Sequence, residues 1–164
     1  MKGIVINRVD SHSQPAYPVA IAWLGLIVLY GGLMGIGFIF QFLPPILPAV
    51  IADLGISHGQ AGLMVSLFAL PGILLSIPAG WAVDRFGERL AGSFGLALMG
   101  VATLGLARAD SFEVILAMRT LSGVGSLVGV VSLQRMTVRL FEGRALGLPM
   151  GISSSAIPAG IVVV

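Results

Sequence analysis

Long apolar stretches alternate with short polar ones from Val19 onward, and none of the apolar stretches shows the every-second-residue alternation of a half-buried strand. Leaving histidine aside, the charge-poor runs fall at about residues 19–50, 60–81, 90–107, 112–133 and 145–164. A helix of roughly 20 apolar residues, rising 1.5 Å per residue, crosses about 30 Å of hydrocarbon. Inside lipid only helices and closed barrels satisfy every backbone amide and carbonyl, and runs of this length without alternation exclude barrel strands. The pattern predicts an all-α, polytopic transmembrane bundle of about five spans. Buried helices of a large soluble protein are the competing reading, disfavoured by five such runs joined by such short connections.

Composition supports lipid as the solvent. Hydrophobic residues make up 57% of the 164 and charged residues 10%, against roughly 25% charged in an ordinary soluble domain. The formal charge of +2 is small and its basic residues are scattered between apolar runs, which sets nucleic-acid binding aside. With no cysteine there is no disulfide, thiolate metal site or Cys nucleophile. His12 and His58 lack further ligands at metal spacing, so no metal or other cofactor is expected. No Walker-type phosphate loop is present, and ATP-driven transport has no support.

The cationic residues fall on one side if the runs cross in turn. Lys2, Arg8, Arg85, Arg89, Arg135, Arg139 and Arg144 share that side, whereas the other has Arg108 beside Asp53, Asp110 and Glu113. Short cytoplasmic loops carry such an excess of Lys and Arg. This predicts a cytoplasmic tail over residues 1–18, a multi-pass segment of the cell membrane from 19 onward, and Trp23 and Trp81 as interfacial anchors. Gly31 with Gly35, Gly125 with Gly129 and Gly147 with Gly151 are candidate close helix contacts. Pro71, Pro78, Pro149 and Pro158 are expected to bend their helices, and Pro44, Pro45 and Pro48 to make the end of the first run irregular.

The stretch GWAVDRFGERL, Gly80 to Leu90, places two acids and two arginines between apolar runs. Gly80 and Gly87 are expected to give the tight turn its backbone freedom. Asp84 at the membrane boundary needs a partner such as Arg85, Arg89 or a helix N-terminus. Gly80, Asp84, Arg85, Gly87 and Arg89 resemble the G-x-x-x-D-R-x-G-x-[RK] signature of the major facilitator superfamily between its second and third transmembrane helices. LAMRTLSGVGS, Leu116 to Ser126, is similar to the family's fourth-helix pattern. Glu88 departs from the signature, where a basic residue is frequent. SSSAIPAGIV lacks the Gly-Pro pair of drug/proton antiporters, because Ile157 precedes Pro158, so the resemblance does not extend to drug efflux.

The resemblance implies a secondary transporter in which two six-helix halves rock about a midplane site, with Asp84 contacting the other half in a conformational-switch loop. The chain reaches only the fifth run, which implies an N-terminal fragment whose C-terminal half is elsewhere. Arg119 lies about 12 Å along its helix from Ser111, a depth at which charge signals function. No acid of this chain shares that depth, and Gln41 is the expected neutral companion lining a polar cavity for substrate or coupling; the alternative is that Arg119 snorkels or hydrogen-bonds backbone carbonyls as structural glue. The lone buried charge is positive, which points to an anionic small solute, with a proton as candidate coupling ion. A non-transporting membrane scaffold or regulator is the alternative. No intramembrane Ser/His dyad or paired aspartates suggest an enzyme.

Overall fold

The computed structural model describes residues 17–109 and 111–163. The expected tail, apart from Tyr17 and Pro18, and Asp110 lie outside the described residues. The described chain forms seven helices: α1 (Val19–Gln41), α2 (Leu43–Leu54), α3 (His58–Leu74), α4 (Ser76–Phe86), α5 (Glu88–Leu106), α6 (Phe112–Leu140) and α7 (Gly147–Val162). It has no strand among the described residues.

Two of the expected runs are each built from two helices, and prolines account for both breaks. The first run was expected as one helix over about 19–50 with irregular last turns at Pro44, Pro45 and Pro48; it breaks at Phe42 and continues as helix to Leu54. Pro44 and Pro45 carry no N–H, so the ladder cannot pass from α1 into α2, whereas they fit the first turn of a new helix whose amides have no partner anyway. The second run spans α3 and α4, bent by 61° about Leu75. Pro78 takes the donor from the Leu74 carbonyl and its ring crowds that carbonyl. Pro71 and Pro158 lie inside α3 and α7, and no break occurs at either.

Helix ends are marked chemically. Ser57 and Gln60 form a reciprocal capping box at the start of α3, and the Ser111 hydroxyl accepts from the Val114 amide at the start of α6. α4 extends to Phe86 and α6 to Leu140, beyond the runs ending at 81 and 133. Consequently Gly80, Asp84 and Arg85 are helical, and the turn is made by Gly87 alone, at φ +82°.

α1 with α2, α5 and α6 are each long and apolar enough to span a membrane, and α3 with α4 makes a fourth span if the bent pair is counted as one. α7 has 16 residues, about 24 Å of helix, which is shorter than the four. Large apolar side chains such as Ile73 and Ile77 are exposed along these helices, a surface suited to lipid or further protein and costly in water.

α6 is the central helix and packs on α1, α3, α4, α5 and α7. Leu29, Leu33, Ile36, Met99, Leu133 and Ala156 form the core where α1, α5, α6 and α7 meet, and Leu43, Met64 and Ile115 form a second one at the opposite end from the α4–α5 turn. Of the three expected glycine pairs, Gly125 and Gly129 lie in a helix seam. Gly31, Gly35, Gly147 and Gly151 have open space around them. The other close approaches use Gly95 against Gly125, Gly123 against the Phe68 carbonyl, and Gly37 and Gly160 between α1 and α7.

A methyl group on Gly125 would sit 2.6 Å from both the Gly95 carbonyl oxygen and the Met99 nitrogen, and backbone cannot yield as a side chain can. Gly125→Ala is expected to cost about 1–3 kcal/mol, read as a lower melting temperature in detergent. Gly100→Ala, with nothing nearby, should melt like the parent; equal melting of both variants would contradict this α5–α6 seam.

Candidate functional site

The largest fully buried side chain is the charged Arg119, 1% exposed. It donates from Nε to the Met64 carbonyl at 3.2 Å, from Nη1 to Ile39 at 3.2 Å and from Nη2 to Phe40 at 3.4 Å. Phe42 and Phe68 place their rings 5.4 and 5.0 Å from the guanidinium carbon, where the ring quadrupole attracts a cation.

The break between α1 and α2 explains why the Ile39 and Phe40 carbonyls accept. Ile39 and Phe40 lie in the last turn of α1, where carbonyls lack intrahelical donors, and the residue that would serve Phe40 is Pro44, which has no N–H to give. Arg119 supplies it. Gly123, one turn along the same face of α6, allows the close approach to α3 that brings Met64 within reach. An arginine followed by a glycine-rich stretch thus acts as one unit, the glycine setting a separation that the arginine bridges.

Gln41, the expected companion, follows directly on Phe40 and is half-buried, but it makes none of the hydrogen bonds of Arg119. The acceptors are main-chain carbonyls, the alternative to a side-chain companion. Farther along α6 a smaller polar cluster joins α7, where the Ser153 hydroxyl donates to Gln134 Oε1 at 3.2 Å beside Thr137.

The second site lies at the end of the bundle that carries Arg85, Arg89, Arg135, Arg139 and Arg144. Asp84 pairs with Arg135 of α6, not with Arg85 or Arg89. Glu88, the departure from the loop signature, pairs with Arg139 at 3.0 Å and its side chain is 13% exposed. The acids are four residues apart and so are the arginines, so the two ion pairs form successive rungs between the α4–α5 turn and the last turns of α6. Arg85 instead covers Trp81, 5.7 Å from the ring centre. Trp23 packs edge-on against Phe141, and Arg144 donates to the Tyr17 carbonyl at 2.6 Å, tying the start of α1 to the same end. Arg89 is exposed. Gly80 has open space beside it and Gly87 makes the turn.

Comparison with known proteins gives a consistent picture. The family model described as Major Facilitator Superfamily matches residues 19–164. The chain is 26% identical over 129 residues to Quinolone resistance protein NorA of Staphylococcus aureus (strain N315), covering 79% of this chain and 32% of that protein. It is 24% identical over 135 residues to Multidrug resistance protein 1 of Bacillus subtilis (strain 168), covering 82% of this chain and 34% of that protein. The chain therefore spans about a third of the length of these relatives.

Arg119→Ala should leave buried carbonyls without a donor, at about 1–3 kcal/mol for each one that water cannot reach. Gln41→Ala, which removes no bond to the guanidinium, should change stability by less than about 1 kcal/mol. Thermal unfolding of both variants in detergent checks the contrast, and a larger loss at Gln41 than at Arg119 would contradict the arrangement.

Proposed function

The chain belongs to the major facilitator superfamily, and from that premise we propose that it is the N-terminal part of a secondary transporter of the cell membrane, moving a small solute by alternating access. Members of the family are transporters rather than enzymes. The observation that carries the proposal is the family match over the whole helical region, residues 19–164. The two ion-pair rungs at the arginine-rich end support it, because rocking between two access states needs contacts at one end that can break and re-form.

In this reading the arginine-rich end is cytoplasmic, a second six-helix half completes the cavity, and Gly80, Asp84, Arg85, Gly87 and Arg89 form the switch segment. Asp84 keeps the closed state through Arg135, and the exposed position of that pair makes its contribution small enough to reverse. Arg119 shapes the substrate cavity by holding the α1–α2 break, with Gln41 lining the cavity beside it.

For the substrate we propose drug-like organic compounds in exchange for protons, a reading supported by relatives named for quinolone and multidrug resistance. An anionic solute loses its main support because the guanidinium that suggested it is engaged by three carbonyls and two aromatic rings. Ile157 still departs from the drug-antiporter pattern, while Gly160, two residues after Pro158, lies close against the Met34 backbone of α1.

Expressed at full length in a host stripped of its own efflux pumps, the protein should lower the accumulation of a fluorescent quinolone. A protonophore should reverse this, and Arg119→Ala should return accumulation to the empty-vector level. Accumulation that matches the vector throughout, despite verified insertion, would favour the scaffold reading. Residues 1–164 contain no cysteine, so with any cysteine elsewhere in the full-length protein replaced, a reporter cysteine at the cytoplasmic end can follow the switch. Asp84→Asn should shift its accessibility by about 1.4- to 5-fold, the range for an exposed ion pair, and the swap D84R with R135D should move it back toward the parent value.

A further inference from the structure

α4 is a segment of 11 residues with a discontinuity at each end. Leu75 leaves helical geometry, with φ −111° and ψ 8°, at the 61° bend from α3, and Gly87 leaves it at φ +82° before α5 begins. Pro78 gives the Leu74 carbonyl no donor, so no continuous ladder stiffens the first joint. The second is a glycine at positive φ. Between the joints α4 buries two small side chains, Ala79 and Val83, and its ion pair to α6 among the described residues is Asp84–Arg135. Asp84 stands in the last turn of α4, where unpaired carbonyls disfavour a carboxylate.

α5 is held differently. A methyl group on Gly92 would lie 2.9 Å from the Ser132 Cβ, and one on Gly95 would lie 2.8 Å from both the Gly125 carbonyl oxygen and the Gly129 nitrogen. Farther along, the Thr103 and Ser122 hydroxyls are 3.4 Å apart. This seam is closed between two helices of the same chain, so it does not depend on what else surrounds the bundle. The first turn of α5 lies between the seam and the Gly87 joint, and Glu88 holds it. The Glu88 side chain is 13% exposed and its carboxylate is 3.0 Å from Arg139. Glu88 opens α5, where unpaired amides favour an acid, and Arg139 stands in the last turn of α6, where carbonyls favour a cation. Both helix ends reinforce this pair, whereas the helix end at Asp84 weakens the other.

We propose that Glu88 is a positioning residue: with Arg139 it fixes the first turn of α5 to α6, so that exchange at Asp84–Arg135 moves α4 alone, about Leu75 and Gly87. The switch then has a moving arm and a fixed stop. Motion entering at α4 ends at Gly87 instead of prising α5 from α6. Glu88 is also the position at which the loop departs from the family signature, and a basic residue there would repel Arg139 instead of holding it. The proposal rests on the switch reading above, but helix distances are measured without transport.

The test is distance measurement by electron spin resonance between paired nitroxide labels in the full-length protein, with any other cysteine replaced. One pair joins α4 to α6, Trp81→Cys with Val138→Cys, and the other joins α5 to α6, Leu90→Cys with Val138→Cys. Asp84→Asn should raise the proportion of a longer α4–α6 distance about 1.4- to 5-fold, the range for an exposed ion pair, and leave the α5–α6 distance single. Adding Glu88→Gln should split the α5–α6 distance as well, and Glu88→Arg should do the same, whereas Glu88→Asp should keep it single. An α5–α6 distance that splits with Asp84→Asn alone, or that stays single when Glu88→Gln is added, would overturn the proposal. So would an α4–α6 distance that Asp84→Asn leaves unchanged. Distances that behave as expected in a protein that fails to lower quinolone accumulation would count against the transport reading alone.

Discussion

A charged guanidinium buried among apolar helices has to be repaid in hydrogen bonds, and in this protein backbone carbonyls accept them, one of which, that of Phe40, proline has left without its helical donor. Arg119 finds no acid at its depth. It meets two carbonyls in the last turn of α1 and one in α3, with an aromatic ring on either side. Each partner alone is unfavourable in lipid, the cation for want of solvent and the Phe40 carbonyl for want of a donor. Together they satisfy one another, and three helices are fixed around the contact.

α6 carries this constraint to the other end of the molecule. Arg119 and Arg135 lie 16 positions apart on one helix, about 24 Å along its axis, and the intervening seam is closed by Gly125 against Gly95. Around Arg119 and Gly125 the rod is packed main chain to main chain. Its arginine-rich end is held by two ion pairs of which Asp84–Arg135 is largely exposed. Rigid packing at the buried site and weak, reversible contact at the surface is the distribution that lets a bundle move as one body while its end contacts exchange.

Much of this was legible in the residues. Charge-poor runs located the helical spans, because transfer into hydrocarbon depends on the local run of side chains and little else. The Gly80 to Arg89 and Arg119 to Gly125 stretches identified the family. Sidedness was suggested by the arginines, five of which do gather at one end of the described bundle. What could not be read is pairing over long separations. Asp84 had arginines one and five residues away, yet its partner is 51 positions along, selected by the packing of α4 and α5 on α6. Of three glycine pairs with the same spacing only one lies in a seam, because spacing defines a helix face and not what faces it. The prolines after Gln41 were expected to make the end of the first run irregular, and the irregularity is a single break at Phe42 before helix resumes. Their real effect was to free a carbonyl, a signal available only by counting four residues back from Pro44 and asking what would serve Phe40 instead.

The account stands or falls on that exchange between proline and arginine, and a double-mutant cycle between Pro44→Ala and Arg119→Ala in the full-length protein tests it directly by unfolding stability. An alanine at position 44 restores an N–H to serve Phe40, so the loss caused by Arg119→Ala should shrink by about 1 kcal/mol or more when Pro44 is also replaced. Strict additivity of the two substitutions would contradict the account, since the arginine would then be serving something other than the break that the proline makes.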